Sequence, residues 1–309
     1  MTIRPFSWHD TPLLIRLRND GICLEPRLGL TRGPSTFNHL LQDAFLPGGC
    51  AVTLVSRSEE NIDGFGQLLH RHGDARASLV YLAPEGIFQQ AGLIEALGIA
   101  AGERGAFNLV ASISEDHQGF EALRNADFHI YARQTVWHMQ RPALTETIED
   151  SRWKKRRLSD RDSVQGLYLN LVPALVQQVE SLPDKDLSGL VYWYGDDLLG
   201  AILLDRGPIG TWAQILIHPA AEQVTELIAE FLKQEAPWTQ PLYVVIRSYQ
   251  SWMEPALEQN GFEVLHRQAV MVKRLAVGLH KPAMNNIPVI DTVRPEMSAS
   301  ITEWEKNRP

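Results

Sequence analysis

Two periodicities alternate along this chain. Residues 2–6, 51–56, 64–70 and 75–82 are short runs with period two or continuous apolar character, bounded by turn residues, and they predict strands. The residues 59–61 read as a hairpin turn, and His72-Gly73-Asp74 as the next one. Residues 86–103 place Leu93, Leu97 and Ala100 on one face and predict a helix. Residues 108–114 predict a strand, 117–125 a helix and 129–139 a long strand. A helix from Asp10 through Leu13, Leu14 and Leu17, and another around 37–44 in a Gly-, Pro- and Ser-rich stretch, complete this half.

The same order then recurs. Strands are predicted at 153–158, 189–194, 198–204, 211–218, 242–247 and 262–273. Helices are predicted at 161–179, with a break at Pro173, and at 253–259. Between them Val224, Leu227, Ile228, Phe231 and Leu232 form the stripe of an amphipathic helix.

The recurrence is visible in the letters. Ala122-Leu123-Arg124-Asn125-Ala126-Asp127-Phe128, followed by Arg133-Gln134 and Val136, returns 134 residues later as Ala256-Leu257-Glu258-Gln259-Asn260-Gly261-Phe262, followed by Arg267-Gln268 and Val270. Val110 with Val244 and Gly66 with Gly200 keep that offset. Two domain-sized copies indicate a duplicated domain. The expected layout is a first domain at 1–140, a linker at 141–151, a second domain at 152–275 and an extended tail at 276–309 with one short helix near 299–305.

Composition narrows the function classes. The 309 residues are 44% hydrophobic and 21% charged, enough for real cores. A formal net charge of −8 argues against nucleic acid or an anionic membrane as the main partner. The exception is the basic run Lys154-Lys155-Arg156-Arg157, read as a solvated strand start. Cys23 and Cys50 are too few for a disulfide framework and read as buried, inert thiols. The N-terminus lacks the apolar core of a signal peptide, and no apolar run reaches the ~18–20 residues of a membrane span. A cytoplasmic location is expected.

The order of elements resembles the GCN5-related N-acetyltransferase fold. The local piece that carries it best is Ala256–Phe262, similar to that family's helix, Gly-Phe, last-strand signature. The resemblance covers roughly 2–140 and 152–275. It implies an α+β protein (α/β three-layer type) of two tandem domains, each a mixed, mostly antiparallel sheet flanked by helices. It implies acyl transfer from acetyl-CoA or another acyl-CoA to a small-molecule or peptide amine, by direct attack. A strand splays from its neighbour, the thioester lies along the exposed edge, and the pyrophosphate sits on backbone amides at the next helix's N-terminus.

Carried onto this chain, the donor would be held by Tyr81 and Leu82 on the strand and by Ile87, Phe88, Gln89, Gln90, Ala91 and Gly92 in the loop. Two departures stand out. The family pattern runs Arg or Gln, two residues, Gly, one residue, Gly or Ala. In the first copy Gln89 and Gly92 fit, but Ile94 replaces the last small residue. In the second copy the loop Ala220–Val224 has no glycine and carries Glu222, with Glu226 just beyond. The tyrosine that often protonates the leaving thiolate is replaced by Leu123 and Leu257.

No catalytic residue is assigned. His218, at a strand end, is a candidate base, and Tyr249, beyond the fifth strand of the second copy with Trp252, a candidate substrate contact. Glu115, Asp116 and His117 at the matching place in the first copy suit an N-cap. His70 and His72 lack a third ligand at a telling spacing, so no metal is expected. The alternative function is a non-catalytic member serving as a ligand-binding or scaffold module after loss of the pyrophosphate loop. Oligomeric state is left open, a homodimer included.

Overall fold

The computed structural model describes residues 2–33, 49–57, 63–140, 151–180 and 188–275. The expected helix at 37–44, the 59–61 turn, most of the linker and the 276–309 tail lie outside the described residues. The first half comprises β1 (Thr2–Pro5), α1 (Thr11–Leu17), β2 (Ile22–Cys23), α2 (Pro26–Arg32), β3 (Ala51–Arg57), β4 (Gly64–His70), β5 (Arg76–Ala83), α3 (Ala91–Glu103), β6 (Asn108–Ile113), α4 (Gln118–Asn125) and β7 (His129–Met139). The second comprises β8 (Trp153–Lys155), α5 (Arg161–Leu171), α6 (Ala174–Gln177), β9 (Ser188–Tyr194), β10 (Asp197–Arg206), β11 (Thr211–Ile217), α7 (Val224–Gln234), β12 (Leu242–Arg247), α8 (Glu254–Gln259) and β13 (Glu263–Arg274). The mixed sheet with flanking helices is the α+β architecture expected. β2 and α2 were not expected. β2 has two residues, and α2 is seven residues long with Gly29 inside it, so neither leaves a periodic trace.

Among the described residues all thirteen strands join one sheet, in the order β1-β3-β4-β5-β6-β13-β7-β12-β11-β10-β9-β8, with β2 off this path against β5. The last strands are exchanged. β13 of the second half lies antiparallel to β6 of the first, and β7 of the first lies antiparallel to β12 of the second. Where β7 and β13 meet, Gln268 faces Gln134, Arg267 faces Thr135 and Ala269 faces Arg133. Residues equivalent by the 134-residue offset therefore face each other at the centre of a pseudo-two-fold, and the Gln134 side-chain amide donates to that of Gln268 at 2.9 Å.

Exchange also knits the cores. Trp137 of β7 is buried with Ile215, Phe231 and Phe262 in the second half. Ala269 and Met271 of β13 are buried with Leu97, Leu109 and Phe128 in the first. Those two clusters line one face of the sheet. On the other face, α1 covers Val55 and Phe65, and α5 and α6 cover Val110, Ala132 and Val270.

The repeated letters mark shared structural devices. Leu123, Leu257, Phe128 and Phe262 are all buried on the same face; Val110 and Val244 are buried too, but on opposite faces, Val110 under α5 and α6 and Val244 with Trp137 and Phe231. A Cβ at Gly66 would sit 2.5 Å from Leu97, and one at Gly200 would sit 2.9 Å from the Trp153 ring, so both glycines let a large side chain lie on the sheet. After α4, the Phe128 amide donates to the Leu123 carbonyl and the Asp127 amide to Arg124. After α8, the Phe262 amide donates to Leu257 and the Gly261 amide to Glu258. This is the Schellman closure, which puts its C′ residue in the left-handed region. Gly261 (φ 82°) adopts it freely; Asp127 (φ 67°) does so with a side chain. Replacing Gly261 with Ala is expected to cost about 1–2 kcal/mol, whereas Asp127→Gly costs nothing or gains up to about 1 kcal/mol, in urea denaturation.

Candidate functional site

In the first half, β5 and β6 run parallel only from Arg76–Asn108 to Ser78–Val110. Beyond that β5 carries a bulge, since Gln67 and Leu68 of β4 face Tyr81 and Leu79 and skip Val80. The two strands then part, as the donor reading requires. The gap is filled by the chain itself. Ile22 and Cys23 pair with Leu82 and Tyr81. The Leu24 amide donates to the Val80 carbonyl at 2.8 Å, and the Leu24 carbonyl accepts from the Ser112 amide at 2.8 Å. Leu24 is 1% exposed and packs with Leu82 and Phe88 in the core. A three-residue wedge thus bridges β5 to β6 along the edge assigned to the thioester.

The loop residues are placed as follows. Leu82, Ile87 and Phe88 are core residues, Phe88 packing edge-on to the His117 ring. The Tyr81 ring stacks on Phe65 and its hydroxyl donates to the Arg18 carbonyl at 2.6 Å. Residues Glu85–Gln89 form a 3-10 turn, not the start of the helix. Within it the Ile87 amide donates to Pro84 and the Gln90 amide to Ile87. The Gln90 side chain is buried and accepts from the Ser56 hydroxyl at 3.0 Å. Ala91 and Gly92 remain exposed at the start of α3. A pocket of about 340 Å³ opens there, between Glu85, Gly86, Phe88 and Ala91 on one side and Gln118, Ala122 and Asn125 of α4 on the other. Its wall carries the Glu85 carboxylate, held at 2.8 Å by His117 and at 3.2 Å by Gln118. A carboxylate there opposes a pyrophosphate. His117 also caps α4, accepting from the Gly119 amide at 2.9 Å.

In the second half, β11 and β12 run parallel from Thr211–Leu242 to Gln214–Val245. β11 has no bulge, its register with β10 being continuous from Gly200–Ile217 to Arg206–Thr211. Beyond the parallel stretch the buried Gln250 amide spans the strands. It donates to the Ile215 carbonyl at 2.9 Å and accepts from the Arg247 amide at 3.3 Å. The following loop is tied down as well. The His218 amide donates to Leu199, and its ring accepts from the Ala220 amide at 3.2 Å. Helix α7 starts from a left-handed Gln223 with Glu226 in its first turn. His218 is therefore engaged in its own turn. Tyr249 packs beside the α5–α6 cluster, and burial pushes its hydroxyl up to about 12.

A second concavity lies between residues that nothing in the sequence pattern links. A cavity of about 680 Å³ reaches both parting points, touching Ser78 and Ser112 of the first half and Gln214 and Val245 of the second. Gln134, one of the two axial glutamines, lines it. Glu180 lies at its wall, bonded by Arg247 at 2.6 Å and by the Tyr131 hydroxyl. Burial alone would raise the Glu180 pKa; Arg247 and Arg76 outweigh it and hold the carboxyl below its ordinary value. Cys23 and Cys50 are only half-buried, not the fully buried thiols expected; the partial burial of Cys23 still pushes its thiol up to about 11. Among the described residues no three His, Cys, Asp or Glu side chains cluster to hold a metal, and no helix is long and apolar enough to cross a membrane.

Solved structures share this fold. The chain is similar to a GCN5-related N-acetyltransferase from Sphaerobacter thermophilus, at 13% identity and a TM-score of 0.54, over 88% of this chain and 95% of that one. It is similar to a tandem GNAT protein from the clavulanic acid biosynthesis pathway, at 13% identity and a TM-score of 0.52, over 88% of this chain and 98% of that one. No protein-family model and no curated protein matches the sequence. The chain has the fold of the GCN5-related N-acetyltransferases. At this identity the likeness is one of fold.

Two outcomes follow from the geometry. Leu24→Ala should cost about 2–4 kcal/mol in denaturant unfolding, the value for a core leucine; a loss under about 0.5 kcal/mol would mean that the wedge is not packed. The depressed Glu180 pKa adds stability that is present above its unfolded value of about 4.5 and is lost as pH falls through the folded value. Unfolding free energy should therefore drop between about pH 5 and pH 3, and Glu180→Gln should flatten that slope.

Proposed function

We propose that this chain is a ligand-binding member of the acetyltransferase fold that does not transfer acyl groups, because its own chain fills the donor slot in both halves. The observation that carries this reading is the Leu24 bridge between Val80 and Ser112. A thioester lying along β5 would have to displace it. That breaks two backbone hydrogen bonds, about 1 kcal/mol net each, and exposes a leucine, about 2 kcal/mol. A cost near 4 kcal/mol weakens donor binding by roughly a thousandfold. Gln250 supports the same reading in the second half, where the loop also lacks glycine and presents Glu222 and Glu226.

A second reading has its own support. The Val80 bulge and the 340 Å³ pocket beside Ala91 are where an acyl-CoA would enter the first half. On that reading residues 22–24 swing out, and the amine of a small molecule or peptide attacks the thioester directly.

Thermal melting with acetyl-CoA separates the two. At about 1 mM donor, a millimolar Kd adds about 0.4 kcal/mol, a shift of about 1 °C or less. A micromolar Kd adds about 4 kcal/mol and raises the midpoint by roughly 6 °C. The filled-slot reading predicts the small shift and no release of free thiol with a panel of amines. A large saturable shift, or thiol release, overturns it.

A further inference from the structure

The central cavity lies beside both filled slots, and its charge is unlike that of the molecule around it. Arg27, Arg71, Arg76, Arg156, Arg161 and Arg247 line it. The carboxylates of its wall are Glu25, Asp74 and Glu180. Asp205 adds a fourth by pairing with Arg27 at 3.6 Å, so these residues carry six positive and four negative formal charges. The whole chain carries −8. Two of the arginines are set into the protein by ion pairs: Arg76 with Glu25 at 3.3 Å and Arg247 with Glu180 at 2.6 Å. Arg247 is 14% exposed, and its Nη1 is buried without a hydrogen-bond partner among the described residues. A buried guanidinium nitrogen without an acceptor is costly, and an oxyanion is the acceptor that its planar fork fits best.

The rest of the lining suits an organic body. Leu28, Leu203, Trp212 and Val245 supply apolar wall, while Ser112, Gln134, Gln165 and Gln214 supply neutral hydrogen-bonding groups. A volume of about 680 Å³ is in the range of small-molecule sites. The basic run at 154–157 contributes here too: Lys154 and Lys155 are exposed, but Arg156 belongs to the cavity wall, with its backbone amide fixed to the Gly189 carbonyl at 2.9 Å.

We propose that the central cavity binds a small organic molecule bearing a carboxylate or phosphate group, its anionic end held by arginines contributed from both halves. This rests on the reading that the chain binds a small molecule, and it names the class. Binding draws the two halves onto one ligand, with Arg76 from β5 and Arg156, Arg161 and Arg247 from the second half.

The test is calorimetric titration and thermal melting of the whole chain with potassium phosphate and with potassium succinate. Potassium chloride at equal ionic strength and uncharged succinamide are the references. Saturable binding of phosphate or succinate is expected, with a midpoint rise that chloride and succinamide do not give. The phosphate and succinate arms tell which oxyanion is preferred. Arg161→Gln and Arg247→Gln should each weaken binding at least tenfold. Should Arg247→Gln fail to fold, the exposed Arg161→Gln and Arg156→Gln decide. Response to both oxyanions no different from chloride, or full affinity in Arg161→Gln and Arg156→Gln, overturns the proposal. Thiol release from acetyl-CoA would instead overturn the filled-slot reading and leave this site standing.

Discussion

The antiparallel pairing of β7 with β13 is the interaction on which the rest depends. Each is the last strand of one copy and an interior strand of the other copy's part of the sheet. Without it β6 and β12 would be open edges, and Trp137 and Met271 would leave the cores they complete. The pairing also fixes where the cavity lies. Gln134, bonded to Gln268, lines it, and residues from both parting points, Ser78 and Ser112 in the first half and Gln214 and Val245 in the second, face the same space. The exchanged strands thus make the two partings the flanks of one cavity.

The two clefts were closed by different means. In the first half three residues of main chain add a short strand, so that backbone satisfies backbone. In the second a single glutamine amide does the same work with its one acceptor and one of its donors. Both devices meet the same requirement: parted strands buried in a core leave N–H and C=O groups that need partners. Here the chain supplies them.

Much of the fold was legible in the sequence. Period-two runs gave β4, β7 and β12 at their observed bounds, and the stripe from Val224 gave α7. The repeated Leu-x4-Phe spacing marked the Schellman turns because each residue there has one geometric job. The exchange was not legible: β7 and β13 have the same pattern, and β6 and β12 are both six-residue strands of mostly apolar residues. Nor was the wedge, since Ile22, Cys23 and Leu24 are too few to show a period. Tyr81 and Leu82 do lie on the parting strand, as the resemblance implied, but nothing in their neighbourhood told that the edge was taken. The cavity was hidden for a different reason: its arginines are spread from position 27 to 247, and only the sheet order gathers them.

The claim that the chain occupies its own donor slot can be put to amide hydrogen exchange, read at Leu24 and Ser112 with and without acetyl-CoA. Both amides are buried donors in the bridge, so both should exchange slowly, on the timescale of the surrounding β5 and β6 amides, and acetyl-CoA should leave those rates unchanged. Rapid exchange at Leu24 and Ser112 in the free protein, or loss of protection at Leu24 when acetyl-CoA is added, would contradict the account.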